Sequence, residues 1–97
     1  MPSTDILPEA RDELVESASW YDHERVGLGD AFVASVLESF DRIEQSPLMY
    51  TIHFRDLRRA SVSRFPYSVY YRVVESRITI VAVFHNHRDI STLADRQ

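Results

Sequence analysis

The first half of the chain carries hydrophobic residues at helical spacing. Residues 8–24 are predicted to form an amphipathic helix that starts at Pro8, since proline is favoured in a first helical turn. After a break that contains both glycines, a second apolar stripe predicts another helix, which ends before Ser46-Pro47 and makes an antiparallel hairpin with the first. The first stripe is Ala10, Leu14, Ala18 and Tyr21, with Arg11, Asp12, Glu13 and Glu16 opposite; the second is Phe32, Val33, Val36, Leu37, Phe40 and Ile43.

After Pro47 the pattern becomes that of β-strands. Three segments, at residues 57–65, 67–74 and 77–85, are rich in β-branched and aromatic residues and are separated by short breaks, which require antiparallel pairing. With a short N-terminal strand at residues 4–7, this predicts a single α+β domain of order βααβββ over residues 1–97, its helices packed on the sheet. The last strand is apolar on both faces, which predicts an interior position under the helical hairpin.

Composition narrows the class of protein. The absence of cysteine excludes a disulfide scaffold, a thiolate zinc site and a cysteine nucleophile. The longest apolar run, residues 78–84, is too short to cross a bilayer, and the N-terminus has neither the basic nor the apolar region of a signal peptide. We therefore expect a cytoplasmic protein.

Charge is divided unevenly between the two halves. Residues 1–50 hold eleven Asp/Glu and three Arg, and residues 51–97 hold four Asp/Glu and eight Arg, so the halves carry −8 and +4. Every basic residue is arginine, which either reflects a GC-rich genome or serves planar recognition of carboxylates and phosphates. The division predicts a basic surface for an acidic protein or nucleic acid. Its candidates are Arg58, Arg59, Arg64 and Arg72, with Tyr70 on the same strands; the alternative is a solvated sheet face.

The stretch VFHNHRDI, residues 83–90, offers the only candidate catalytic group. His85 and His87 project from one side of the strand end and could transfer protons near neutral pH, while Arg88 could stabilise a phosphate. Alternatively, His85 merely ends a strand and Arg88 pairs with Asp89 across a turn. A metal site is not expected, because nothing in the sequence places the other histidines near His85, and no cofactor is predicted.

The order of several motifs resembles the RelE/ParE superfamily of bacterial toxins, also called plasmid stabilisation proteins. The matching segments are ASWYDHERVGLGDAFVASV, DLRRASVSRFPYSVYYRV and IVAVFHNHRDI, which together cover nearly the whole chain. The resemblance implies the toxin of a type II toxin–antitoxin pair, held inactive in a hetero-oligomer by a cognate antitoxin that lays an extended segment and a helix across it. Trp20, Tyr21 and Tyr71 are then expected to close the core or hold that helix. Tyr70, which shares a strand face with Ser68 and Arg72, is expected to be the aromatic residue that is partly open.

The superfamily includes two mechanisms. RelE-like members cleave mRNA in the ribosomal A site, whereas ParE-like members inhibit DNA gyrase. RelE-like nucleases carry an arginine where this chain has Ser68, together with lysines and a C-terminal tyrosine that this chain lacks. We therefore predict a ParE-like, non-nucleolytic toxin. One alternative is a ribosome-dependent mRNA endonuclease that uses His85, His87 and Arg88, together with Arg59. The other is a non-toxic binding relative.

Overall fold

The computed structural model describes residues 3–96 and confirms the α+β class. The order is β1 (Ser3–Ile6), α1 (Pro8–Glu24), α2 (Leu28–Gln45), β2 (Ile52–Phe54), β3 (Leu57–Ser61), β4 (Tyr67–Val74), β5 (Arg77–His85) and a C-terminal 3-10 helix (Ile90–Asp95). Helix α1 has the predicted bounds, and α2 ends at Gln45, directly before the predicted stop. Neither α-helix within the described residues has both the length and the apolar character needed to span a membrane.

The sheet has five strands in the order β1-β5-β4-β3-β2. Strand β1 pairs in parallel with β5, and the other neighbours are antiparallel. The prediction of three strands after Pro47 therefore missed β2, a three-residue edge strand too short to show alternation. The predicted interior position of β5 is confirmed, since β1 and β4 flank it.

Helices α1 and α2 cover one face of the sheet. Phe32, Val36 and Ile43 of α2 pack there against Val69 and Tyr71 of β4, and all five are buried. Tyr67, Val69, Tyr71 and Val73 therefore share the helix-facing side of β4. We refer to this side as the helical face.

The C-terminal 3-10 helix covers the opposite face of the sheet, here called the second face. Leu93 packs there with Leu57, Tyr70 and Phe84, all nearly inaccessible to solvent. Tyr70 is only 2% exposed, so the expectation that it is partly open is wrong. Tyr70 does point away from the helices, but the chain after β5 returns and covers this face of the sheet.

A β-bulge lies in β5. Tyr70 pairs with Ala82 and Tyr71 with Ile80, so Val81 is an extra residue without a partner on β4. An extra residue reverses the inside–outside alternation beyond it. Ile80 and Val83 therefore both face the helices, although a regular strand would place them on opposite sides.

Candidate functional site

Three polar side chains form a network on the second face, near the ends of β4 and β5. The Arg59 Nε donates to the Ser68 Oγ at 3.0 Å, and the Ser68 hydroxyl donates to the Asn86 Oδ1 at 2.7 Å. The Arg59 Nη2 also donates to the Asn86 Oδ1, at 3.4 Å. Ser68 is fully buried, whereas Asn86 is exposed. Arg59 is thus held in place by uncharged groups, and no described acidic residue forms an ion pair with it.

The two histidines lie together at the end of β5. The ring of His85 is 5.2 Å from that of His87 and 5.3 Å from that of Tyr67. The His87 backbone N–H donates to the His85 Nδ1 at 3.1 Å. Because Nδ1 accepts this bond, a neutral His85 carries its proton on Nε2 and can offer only that atom to a ligand.

Arg88 does not join the histidines. Its guanidinium lies 4.0 Å from the centroid of the Phe84 ring, on the second face, and its Nη1 is 3.6 Å from the Glu13 Oε2. The alternative pairing of Arg88 with Asp89 is also wrong. The Asp89 carboxylate instead accepts from the Ser91 N–H at 2.9 Å, which caps the 3-10 helix and lowers the pKa of Asp89.

The other predicted arginines have separate surroundings. The Arg58 Nη1 donates to the Tyr50 carbonyl at 2.6 Å and so secures the loop after α2. The Arg72 Nε lies 3.1 Å from the Asp56 Oδ2. Arg64 sits in the β3–β4 turn with a left-handed φ of 70° and is exposed. Of these arginines, Arg72 pairs with a described acidic residue, whereas Arg58, Arg59 and Arg64 do not. Arg58 is occupied by backbone carbonyls, so Arg59 and Arg64 have the guanidinium groups most open to a partner.

An open aromatic cavity of about 490 Å³ adjoins His85. It is lined by Trp20, Tyr21, Pro66, Tyr67 and His85. Trp20 is 59% exposed, so it does not close the core, whereas Tyr21 packs against the buried Phe32 with ring centroids 5.2 Å apart. Burial and the nearby Tyr67 phenol raise the pKa of Tyr21.

Sequence reasoning missed Glu13, which it placed on the solvent side of α1. Strand β1 stops opposite Ile80, so the next backbone groups along that edge of β5 need other partners. The Val83 N–H donates to the Glu13 Oε1 at 3.1 Å, and the Arg96 Nη1 donates both to the Glu13 Oε2 at 2.8 Å and to the Val81 carbonyl at 3.1 Å. Glu13 follows Ala10 by three residues, and that spacing was the available signal.

Among the described residues, no group of three or more His, Asp or Glu side chains is arranged to hold a metal ion.

The family model described as "ParE toxin of type II toxin-antitoxin system, parDE" matches residues 5–90. The chain belongs to the ParE toxin family. A chromosomal ParDE toxin–antitoxin structure from P. aeruginosa is similar with a TM-score of 0.78 and 18% identity, over 88% of this chain and 96% of that one. The intact E. coli RelBE toxin–antitoxin complex has a TM-score of 0.69 and 14% identity, over 91% and 100% of the two chains. No significant match is found among curated protein sequences.

Ser68, which the resemblance to RelE-like nucleases singled out in the sequence, is buried in the structure of this ParE-family chain. Its hydroxyl is bonded to both Arg59 and Asn86. The structure therefore places His85 beside His87. Arg59 belongs to the neighbouring network with Ser68 and Asn86. Arg88 lies away from the histidines and from that network, because it is directed to Glu13.

Proposed function

We propose that the protein is a growth-inhibiting toxin that acts on DNA gyrase without cleaving RNA and is neutralised by a cognate antitoxin. The observation that carries the non-nucleolytic part is the network around Ser68. Cleavage of RNA by its 2′-hydroxyl requires a proton acceptor, a proton donor and a cation at one phosphate. At Ser68 the side chain is uncharged and buried, and its hydroxyl bonds only with neighbouring protein groups.

The groups around this network do not supply the proton acceptor and proton donor that RNA cleavage requires. Arg59 can bind a phosphate, but a guanidinium hardly releases its proton at neutral pH. His85 has its Nδ1 engaged by the His87 backbone, and Arg88 is directed to Glu13 instead of the histidines. A gyrase inhibitor needs a binding surface and no proton transfer, which agrees with this arrangement.

A second candidate is the ribosome-dependent mRNA endonuclease. The observation that favours it is the contact between the rings of His85 and the exposed His87. Neither the His85 Nε2 nor the His87 ring is hydrogen-bonded within residues 3–96, so both could reach a substrate. A non-toxic binding relative is the third alternative.

Expression of the chain without antitoxin separates these alternatives. Growth, cleavage of translated mRNA and plasmid supercoiling would be followed together in cells that express the wild type, His85→Ala, His87→Ala or, as a control, His23→Ala, which alters an exposed histidine at the end of α1. We expect altered supercoiling with intact mRNA, and toxicity that none of the three substitutions removes. Cleavage at codon boundaries that disappears in His85→Ala would contradict the proposal, and unimpaired growth would indicate the non-toxic relative.

We also propose that the aromatic cavity is where a helix of the antitoxin docks. Trp20 is the only tryptophan of the chain and is largely exposed beside an apolar opening, and tryptophan often dominates the binding energy of an interface. Trp20→Ala should weaken antitoxin binding about 30-fold or more, measured by calorimetry.

The matched control is Val15→Ala, because Val15 lies on the same helix and is also 59% exposed. Its affinity should stay within about twofold of the wild type. The quenching or blue shift of Trp20 fluorescence on antitoxin binding gives an independent signal. Wild-type affinity in Trp20→Ala, with unchanged fluorescence in the parent protein, would place the antitoxin elsewhere.

A further inference from the structure

A second open cavity lies at the opposite end of α2 from the hairpin loop. Its volume is about 450 Å³, and it shares no residue with the aromatic cavity. We call it the α2-end groove. It is lined by Glu44, Gln45, Pro47, Leu48, Val73, Glu75 and Ser76.

The rim of the α2-end groove is negative. Glu44 comes from the last turn of α2 and Glu75 from the β4–β5 turn, and both are exposed. Among the described residues neither carboxylate forms an ion pair. The Thr4 hydroxyl donates to the Glu44 Oε2 at 2.7 Å, which orients that carboxylate. The carbonyl end of α2 adds partial negative charge at the same place.

The floor of the groove is apolar. It is formed by Pro47 and Val73, with Leu48, which is 66% exposed. Met49, which follows Leu48 in the sequence, is also a large hydrophobic residue and is 62% exposed. Large hydrophobic side chains gathered at one place on a small protein usually mark an interaction surface.

We propose that the α2-end groove binds a segment of a protein partner that carries an arginine or lysine flanked by aliphatic residues. A long basic side chain fits both features, because its methylene stem can lie on the apolar floor while its charged head reaches the carboxylates. Nucleic acid is disfavoured, since its phosphates would meet two carboxylates and a helix carboxyl end. The proposal does not depend on which target the toxin inhibits.

Short peptides provide the test. The full chain, labelled with ¹⁵N, would be titrated with the peptide Ac-Ala-Leu-Arg-Leu-Ala-NH₂ and with the same peptide carrying citrulline, which keeps the shape of arginine and removes its charge. We expect amide shifts confined to residues 44–46, 48 and 73–76, since Pro47 has no amide proton. The arginine peptide should bind about tenfold more tightly than the citrulline peptide.

Charge-neutralising variants locate the contact. Glu44→Gln and Glu75→Gln should each lower the affinity for the arginine peptide about two- to fivefold, as expected for exposed ion pairs. Glutamine can still accept the Thr4 bond, so Glu44→Gln should keep its fold. Glu38→Gln, an exposed change on α2 outside the groove, should leave binding unchanged and so exclude general attraction to an acidic protein.

Three results would overturn the proposal. They are equal binding of the citrulline peptide, shifts centred on the aromatic cavity, and no binding up to about 5 mM peptide, which corresponds to a negligible affinity. Self-association of the chain that Glu75→Gln abolishes would assign the groove to a second copy and would also overturn it. Because none of these measurements involves toxicity, their failure is distinct from failure of the proposed function.

Discussion

Glu13 connects parts of the chain that are far apart in sequence. Its carboxylate reaches the backbone of β5 at Val83 and the side chain of Arg96, 83 positions away. The Glu13 and Arg96 side chains are only 10% and 12% exposed. At such burial, removing one partner leaves the other charge without compensation, which costs more than the intact pair contributes.

Replacement of Glu13 should therefore be strongly destabilising. Glu13→Ala is expected to lower the free energy of unfolding by about 3–5 kcal/mol, because Arg96 loses its paired carboxylate and the Val83 N–H loses its acceptor. Glu13→Gln should cost less, since its amide oxygen can still accept from Val83. Urea denaturation measures both. Glu16→Ala, an exposed change on the same helix, should stay within about 0.5 kcal/mol of wild type, and a similarly small effect of Glu13→Ala would refute the argument.

Tyr71 is a buried titratable group of the helical face. Its hydroxyl donates to the Pro47 carbonyl at 2.6 Å, and its side chain is inaccessible to solvent. Burial raises the pKa of Tyr71 to about 12, although the nearby Arg58 acts in the opposite direction. Folding therefore favours the protonated phenol.

The raised pKa predicts a loss of stability in alkaline solution. Above pH 10 an unfolded Tyr71 releases its proton while the folded one retains it, so stability falls from about pH 10 to about pH 12. The loss attributable to Tyr71 should be about 1.4 kcal/mol at pH 11 and about 2–3 kcal/mol near pH 12, and Tyr71→Phe should remove it. Urea denaturation at pH 8, 10 and 11 in both proteins checks this. Parallel pH profiles for the two would contradict it.

At the scale of elements, the helical hairpin depends on two glycines for different reasons. Gly27 adopts a left-handed φ of 90° but has open space around it. Gly29 has no unusual φ, yet a Cβ there would lie 2.5 Å from the Ala18 carbonyl oxygen of α1. The Asp22 carboxylate accepts from the N–H groups of both glycines, at 3.0 and 3.2 Å, and so caps the start of α2.

Because the two glycines are needed for different reasons, replacing each with alanine should lower the free energy of unfolding by different amounts. Gly27→Ala should cost about 1–2 kcal/mol, the strain of a left-handed non-glycine residue. Gly29→Ala should cost more, about 3 kcal/mol, because the clash involves backbone and forces the helices apart. Thermal unfolding monitored by circular dichroism ranks them, with Ala34→Gly as an exposed control in α2, expected near 1 kcal/mol. The reverse order would show that separation of the helices is not tightly fixed.

The longer helices and strands could be predicted from the sequence, because the buried residues of each one recur with a regular period along a continuous segment. Helices α1 and α2 and strands β4 and β5 have enough residues for period and breaks to be read. Strand β2 and the C-terminal 3-10 helix are short, and what holds them comes from residues distant in the chain, such as the packing of Leu93 on Tyr70. That packing is also why the exposure of Tyr70 could not be read from alternation.

The candidate site was less accessible to prediction for a related reason. The adjacency of His85 and His87 follows from their spacing, and the structure keeps them in contact. The direction of Arg88 depends on Glu13, whose inward position follows from the early end of β1. The position of Arg88 thus depends on contacts among β1, α1 and the end of β5, and no short segment of the sequence shows such contacts.

At the scale of the whole molecule, charge is arranged in layers. The acidic half of the sequence supplies the helices, and the basic half supplies β2 to β5 and the turns between them. Exposed arginines on such a layer steer an acidic partner more than they stabilise the fold. Arg64 is the clearest example, because it is exposed and makes no hydrogen bond or ion pair with any other described residue.

Charge reversal at Arg64 tests the role of this layer. Arg64→Glu should leave the free energy of unfolding within about 0.5 kcal/mol. Under the proposed inhibition of gyrase, it should raise the concentration needed to inhibit the purified enzyme about three- to tenfold. The control is Arg55→Glu, which alters another exposed arginine with positive φ, in the β2–β3 turn. Equal effects of the two would indicate that overall charge matters and the position does not.

The parallel pairing of β1 with β5 also determines when the sheet can be completed during synthesis of the chain. Ser3 pairs with Arg77, so the first strand that leaves the ribosome has no place in the sheet until the last strand has been made. Contacts over such long separations form late and slowly. A nascent chain therefore presents its two helices, with their apolar stripes uncovered, throughout the production of the sheet that will bury them. During that interval chaperones and proteases meet a molecule that is not yet a toxin.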